Sequence, residues 1–122
     1  MRIRGVVSNI PSARMDASRA FYTEFLGMEV AMDMDWLVTF VSPDNPTAQI
    51  SVVQAEEGAA RPTGMSLTVE VPDVDAAHAR AKAQGIEVVY PLTDEPWRVR
   101  RFHVLDPNGV VVNVISRTAD EL

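Results

Sequence analysis

The chain has 122 residues, close to half of them hydrophobic, a length and composition that suit one domain with a core of its own and exclude a disordered chain. Lys and Arg number 11 against 17 Asp and Glu, a net charge of −6 that argues against nonspecific nucleic-acid binding and mildly favours a neutral or cationic partner. With no cysteine there is no disulfide framework, thiolate metal site or cysteine nucleophile. Neither a signal-peptide run nor a stretch of membrane-spanning length is found, so the expected setting is the cytoplasm, with no membrane partner.

In chain order, Ile3 to Ile10 reads as a strand that Pro11 ends. Asp16 to Leu26 reads as a helix, with Ala17, Phe21 and Phe25 recurring on one face and Gly27 closing it. Strands are predicted over Met28 to Met34, Trp36 to Ser42 and Ala48 to Gln54, with a turn at Pro43 to Pro46. Residues 56–63 read as a linker. The pattern then returns. Gly64 to Val71 is a strand ended by Pro72, and Asp73 or Asp75 caps a helix running to Gln84, closed by Gly85. Ile86 to Leu92 is a strand. Val99 to Leu105 and Val110 to Ser116 form a hairpin about Asp106-Pro107-Asn108-Gly109, a turn in which Pro fixes φ and Asn and Gly tolerate positive φ. Arg117 to Leu122 reads as a polar tail.

The halves repeat. Gly27-Met28-Glu29-Val30 matches Gly85-Ile86-Glu87-Val88, Trp36 matches Trp97, Phe40 matches Phe102, and the turn at Asp44 matches that at Asp106. Each half, 1–55 and 64–118, is strand, helix, then three strands. Two such βαβββ modules, each too small to bury its own sheet face, are expected to pair into one α+β domain.

The chain resembles the vicinal oxygen chelate superfamily, which includes glyoxalase I, extradiol dioxygenases, fosfomycin-resistance enzymes and bleomycin-resistance proteins. The matching pieces are Ala17-Ser18 with Ala20-Phe21-Tyr22, Leu26-Gly27, Val71 to Ala76, Glu95-Pro96-Trp97 and Asp106-Pro107-Asn108-Gly109. The ending looks most like the bleomycin-resistance branch. The resemblance implies two modules curling into a half-open cup, helices outside it, a homodimer, and a small-molecule ligand in the cup or dimer cleft.

Enzymes of that superfamily hold a divalent metal through His or Gln on the first strand of each module and Glu on the last. The equivalent positions here are Val7, Ser66, Ser51 and Asn113. Divalent metals need imidazole, thiolate or carboxylate donors in number, and these four supply none. A shifted alignment brings in only Asn9, Gln49 or Glu70. The expectation is therefore no metal and no cofactor.

Alternation from those positions gives an inward set: Val7, Asn9, Gln49, Ser51, Ser66, Thr68, Glu70, Arg101, His103, Val111 and Asn113. The outward set, Ile50, Val52, Val69, Phe102, Val104, Val112 and Val114, suits packing under helices. Asn9, Gln49, Ser66, Thr68, Glu70, Trp97, Arg101, His103 and Asn113 are thus the candidate ligand-binding residues. His103 reads either as a ligand contact or general base, or as a hydrogen-bonded neighbour of Glu70 or Asn113. Arg101 reads as an anion clamp or as the ion-pair partner of Glu70. Trp97 offers a stacking face or packs in an interface, and so does Trp36. His78, mid-helix, is expected in solvent. The functional expectation is a metal-free binder of a small, aromatic or cationic, antibiotic-like molecule. The alternatives are an enzyme of the same superfamily, using His103 or an atypical metal site, and a dimeric domain with no specific ligand.

Overall fold

A computed structural model describes residues 1–56, 58 and 62–117; half of the predicted linker and nearly all of the polar tail lie outside the described residues. The chain divides into two compact units, Met1–Pro62 and Thr63–Leu122.

The first unit comprises β1 (Val6–Ser12), α1 (Met15–Ala20) running into a π-helical turn (Phe21–Phe25), β2 (Glu29–Asp33), β3 (Leu37–Ser42) and β4 (Asn45–Gln54). Its sheet has the order β1-β4-β3-β2, with β1 parallel to β4 and the other pairs antiparallel. Pro11 lies inside β1 rather than ending it. β1 is an edge strand with one neighbour, so a residue without an N–H costs the ladder nothing on its free side. The π turn shifts the helical phase, so Ser18, Phe21, Tyr22 and Phe25 are buried and Ala17 is exposed. Tyr22 stacks on Phe40 with ring centroids 5.4 Å apart. Ile10, Val38, Ile50 and Val52 complete this core. The hydroxyl of Ser12, hydrogen-bonded to that of Ser18 at 3.1 Å, accepts from the Arg14 N–H and so takes the place of a side-chain cap.

The second unit comprises β5 (Ser66–Glu70), α2 (Val74–Ala83), β6 (Val88–Glu95), β7 (Val99–Leu105) and β8 (Val111–Arg117). Its sheet order, β5-β8-β7-β6, repeats that of the first unit strand for strand. Asp73, not Asp75, caps α2, its Oδ1 accepting from the Ala76 N–H at 3.0 Å. Asp75 instead holds Arg100 at 2.9 Å. Gly27 and Gly85 both end their helical segments in the left-handed region, at φ +71° and +70°. Phe102, Val104, Val112 and Val114 are fully buried, and Val74 and Ala81 of α2 are buried with them. His78 is half-buried rather than in solvent. Its ring meets Phe102 edge-on at 5.1 Å, the T-shaped arrangement that aromatic pairs favour.

Between β7 and β8, Asp106 builds the turn. Its buried carboxylate accepts from the N–H groups of Asn108 and Val110 at 2.8 and 2.9 Å and from Asn108 Nδ2 at 3.1 Å. Gly109 closes the turn at φ +90°. These bonds fix the register in which β7 and β8 present their side chains.

Candidate functional site

The apolar face of the second sheet is buried, so the opposite face carries the chemistry. Register pairing sets one row of side chains across all four strands: Thr68 on β5, Asn113 on β8, His103 on β7 and Tyr90 on β6. Asn113 Nδ2 donates to Thr68 Oγ1 at 3.3 Å, a long bond. The His103 ring lies against Tyr90 at 4.7 Å between centroids, tilted by 30°. Arg101, two residues along β7, projects on the same face.

Arg101 pairs with Glu95, not with Glu70. Its Nε donates to Glu95 Oε2 at 2.7 Å, and the Tyr90 hydroxyl donates to the same oxygen at 2.7 Å. The guanidinium carbon sits 5.1 Å from the Tyr90 ring centroid and 5.2 Å from that of Trp97, within cation–π range of both. Trp97 itself remains 58% exposed. The turn that carries it includes Arg98 at φ +65°, an unfavourable conformation for a non-glycine residue. The electrostatics follow from these contacts. The Tyr90 hydroxyl and the Arg101 guanidinium hold the Glu95 carboxyl below its ordinary range. Glu95 in turn raises the Arg101 guanidinium. Burial pushes the His103 imidazole down, and the Arg101 charge adds to this; the Asn113 side chain and Glu95 oppose them without reversing the direction. Burial thus favours the neutral form of His103.

Two buried atoms in this row have no hydrogen-bond partner among the described residues: His103 Nε2 and Asn113 Oδ1. They belong to directly opposed residues on β7 and β8. Buried polar atoms are rarely left unpaired, and each one costs on the order of 1–3 kcal/mol.

The remaining candidates lie apart from this cluster. Glu70 pairs with Arg117 at 3.3 Å and is separated from Arg101 in register by Ile115. Ser66 is exposed and faces Val111. In the first unit Asn9 is exposed, and the Gln49 amide donates to the Pro46 carbonyl at 2.9 Å. Alternation missed Tyr90 and Glu95. β6 shifts register on both sides of Tyr90, so period two does not carry from Val88 to Glu95. Glu95 was visible only as part of the Glu95-Pro96-Trp97 motif.

The metal positions of the superfamily can be tested one by one. Val7 has no donor. Ser51 is buried and its hydroxyl is engaged by Thr39 at 2.7 Å. Ser66 and Asn113 offer neutral, weak donors. No group of three or more His, Asp or Glu able to hold a metal ion occurs among the described residues. The donor set does not fit a divalent cation.

An open groove of about 380 Å³ lies in the first unit, between the start of α1 and the end of β4, lined by residues 13–17 with Gln54 and Ala55. None of the candidate residues lines it. No helix among the described residues is long and apolar enough to cross a membrane.

The family model of the glyoxalase/bleomycin resistance protein/dioxygenase superfamily matches residues 5–114. No curated protein matches the chain. Among solved structures, TnmS3, an antibiotic binding protein from Streptomyces sp. CB03234, is similar at TM-score 0.80 and 22% identity, over 97% of this chain and 99% of that one. A glyoxalase/bleomycin resistance protein/dioxygenase from Nocardioides is similar at TM-score 0.74 and 24% identity, over 98% and 87%. A lactoylglutathione lyase from Agrobacterium tumefaciens is similar at TM-score 0.73 and 20% identity, over 95% and 96%. At these identities the structures speak to the fold alone, two four-stranded βαβββ sheets in an α+β arrangement. The match of the family model over most of the chain goes further: the chain belongs to the glyoxalase/bleomycin resistance protein/dioxygenase superfamily.

Proposed function

We propose that this protein binds a small aromatic molecule without a resident metal, and that the ligand lies against the polar face of the second unit's sheet. The observation that carries this reading is the stack of Tyr90, Arg101 and Trp97, which leaves the indole 58% exposed, with His103 against the other side of the cluster at Tyr90. An exposed Trp backed by a fixed guanidinium is a planar surface that packing within its own unit leaves uncovered. The donor set at Val7, Ser51, Ser66 and Asn113 supports the metal-free part of the reading. The likeness to an antibiotic-binding protein supports the ligand class, an antibiotic-like molecule. Arg101 meets Glu95 and so is not a free anion clamp, which favours neutral ligands over carboxylates or phosphates.

The test is titration of an aromatic metabolite and antibiotic panel against intrinsic fluorescence. Saturable quenching that vanishes in Trp97→Ala and persists in Trp36→Ala is expected; quenching that depends on Trp36 alone contradicts the reading. EDTA should leave both the melting temperature and the quenching unchanged, and stabilisation by zinc, nickel, manganese or iron saturating at one ion per chain contradicts the metal-free part.

A second reading has its own observation. A half-buried imidazole whose neutral form is favoured by burial is competent as a general base, which favours a metal-independent enzyme of the same superfamily using His103. His103→Ala would then abolish turnover, whereas in a pure binder it weakens affinity less than Trp97→Ala does. We further propose a homodimer, supported by the exposed Val30, Met32, Met34 and Trp36 on and beside the edge strand β2. Sedimentation at micromolar concentration checks it, a monomer being the contrary result.

A further inference from the structure

We propose that Glu95 sets the charge preference of the ligand-binding face: it fixes Arg101 against Trp97 and cancels the guanidinium charge, so that the exposed indole is presented as a neutral surface. This rests on the ligand-binding reading above and goes beyond it by assigning the residue that governs both the support of Trp97 and the exclusion of anions. Glu95 is a positioning residue in this account, acting on the ligand through Arg101 and Trp97.

The first ground is how Glu95 is held. It ends β6 opposite Val99, and its carbonyl accepts from the Arg98 N–H at 3.2 Å, closing the turn that carries Trp97. A single oxygen, Oε2, takes both the Tyr90 hydroxyl and Arg101 Nε, each at 2.7 Å. The main chain and side chain of one residue thus tie the turn, β6 and β7 together around the stack.

The second ground is what this does to Arg101. A long side chain loses entropy when it is held in one place, and a short charge-assisted bond at Nε offsets that loss. The guanidinium carbon is then kept 5.1 Å from the Tyr90 ring centroid and 5.2 Å from that of Trp97. The Arg101 side chain is 23% exposed and that of Glu95 10%, so the cation–π contacts are partly shielded from water.

The third ground is the local charge balance. Tyr90 and Arg101 hold the Glu95 carboxyl below its ordinary range, so it keeps its charge at neutral pH. The neighbouring acidic side chains are committed elsewhere, Asp94 to Arg100 and Glu70 to Arg117. Without the Glu95 charge, the guanidinium stands unmatched beside an exposed aromatic, an arrangement that suits a carboxylate or phosphate.

The experiment uses the full chain carrying Trp36→Phe as parent, so that Trp97 is its one tryptophan. Because both bonds go to one oxygen, Glu95→Gln can keep them and remove the charge, whereas Glu95→Ala removes bonds and charge together. The near-ultraviolet circular dichroism of Trp97 should survive in Glu95→Gln and be lost in Glu95→Ala. Quenching of Trp97 by iodide relative to caesium should rise in Glu95→Gln and stay at the parent value in Glu29→Gln, which changes the net charge equally. Arg101→Gln should shift the ratio toward caesium, and it decides the matter should a Glu95 variant not fold. By calorimetry the parent should prefer 2-naphthamide to 2-naphthoate, and in Glu95→Gln naphthoate should gain about fivefold on the amide, ~1 kcal/mol, the upper scale of an exposed ion pair. Retention of the Trp97 signal in Glu95→Ala, or an unchanged iodide-to-caesium ratio in Glu95→Gln, overturns the proposal. Equal binding of the two naphthalenes by the parent overturns the charge preference and leaves the ligand-binding reading standing if that binding depends on Trp97. Binding of neither overturns that reading together with the preference, and the spectra then judge the positioning of Trp97 alone.

Discussion

The two units share one topology and differ in chemistry at the same place. In the first, the row through the last strand runs Asn9, Ser51, Thr39, Met32; in the second it runs Thr68, Asn113, His103, Tyr90. The central pair of the first row closes on itself, Thr39 Oγ1 to Ser51 Oγ at 2.7 Å, both residues buried. The central pair of the second leaves His103 Nε2 and Asn113 Oδ1 open. The turns between the second and third strands of each unit differ in parallel. Trp36 follows the left-handed residue Asp35, whereas Trp97 precedes the left-handed Arg98 and lies over Arg101. The duplicated scaffold thus carries a buried hydroxyl pair in one copy and a half-buried imidazole–amide pair in the other.

The comparison breaks most visibly in the cores, where the units should be alike. Phe40→Ala and Phe102→Ala remove equivalent aromatics from under Tyr22 and α2, and each should cost about 3–5 kcal/mol in denaturant unfolding. A loss below about 1 kcal/mol in either would mean that its unit does not rest on that ring. The next effect separates the units. Trp97→Ala should weaken ligand binding by about 1–3 kcal/mol, the scale of a lost buried aromatic contact, and Trp36→Ala should leave it unchanged, both read by titration.

Smaller effects sharpen the contrast between the central pairs. Ser51→Ala strands the buried Thr39 hydroxyl and should cost about 1–3 kcal/mol. Asn113→Leu loses only the long, exposed Nδ2 bond to Thr68 Oγ1 and should cost less than Ser51→Ala, about 0.5–1 kcal/mol or less. Equal losses in both would show that the second pair is closed in solution.

The smallest effect is one of pH. The folded imidazole of His103 sits below its unfolded value of about 6.5, so the unfolded state takes up the proton first. The stability contribution is present above pH ~6.5 and is lost as pH falls toward the folded value. His103→Gln should flatten that segment of the stability curve, measured above the carboxylate range; an unchanged slope in the variant contradicts the assignment. Glu95, also depressed, contributes in a separate window at lower pH, with stability lost as pH falls below about 4.5.

Much of this molecule was legible from residue patterns because local physics and tertiary structure agree there. Alternation along β7 and β8 correctly separated Phe102, Val104, Val112 and Val114 from Arg101, His103 and Asn113. The helix-ending role of Gly27 and Gly85 followed from backbone freedom alone. The failures share a cause, which is that period or propensity is overridden locally. Pro11 continues β1 because the strand has a free edge. The π turn at Phe21–Phe25 rephases α1, which a fixed helical period does not anticipate. In β6 the register shifts around Tyr90 hid the residue that lies against both Arg101 and His103. Alternation offers Arg101 only Glu70 as an ion-pair partner, which shares its row but lies beyond Ile115, whereas the carboxylate it meets is Glu95.

The most direct test of a site on the second unit alone is chemical-shift mapping on labelled protein titrated with a bound aromatic ligand from the panel. The expected result is perturbation concentrated at Tyr90, Trp97, Arg101, His103 and Asn113, with Trp36, Thr39 and Ser51 unmoved. Perturbation centred instead on the first unit, at Trp36 and the Thr39–Ser51 pair or along the groove of residues 13–17, would contradict it.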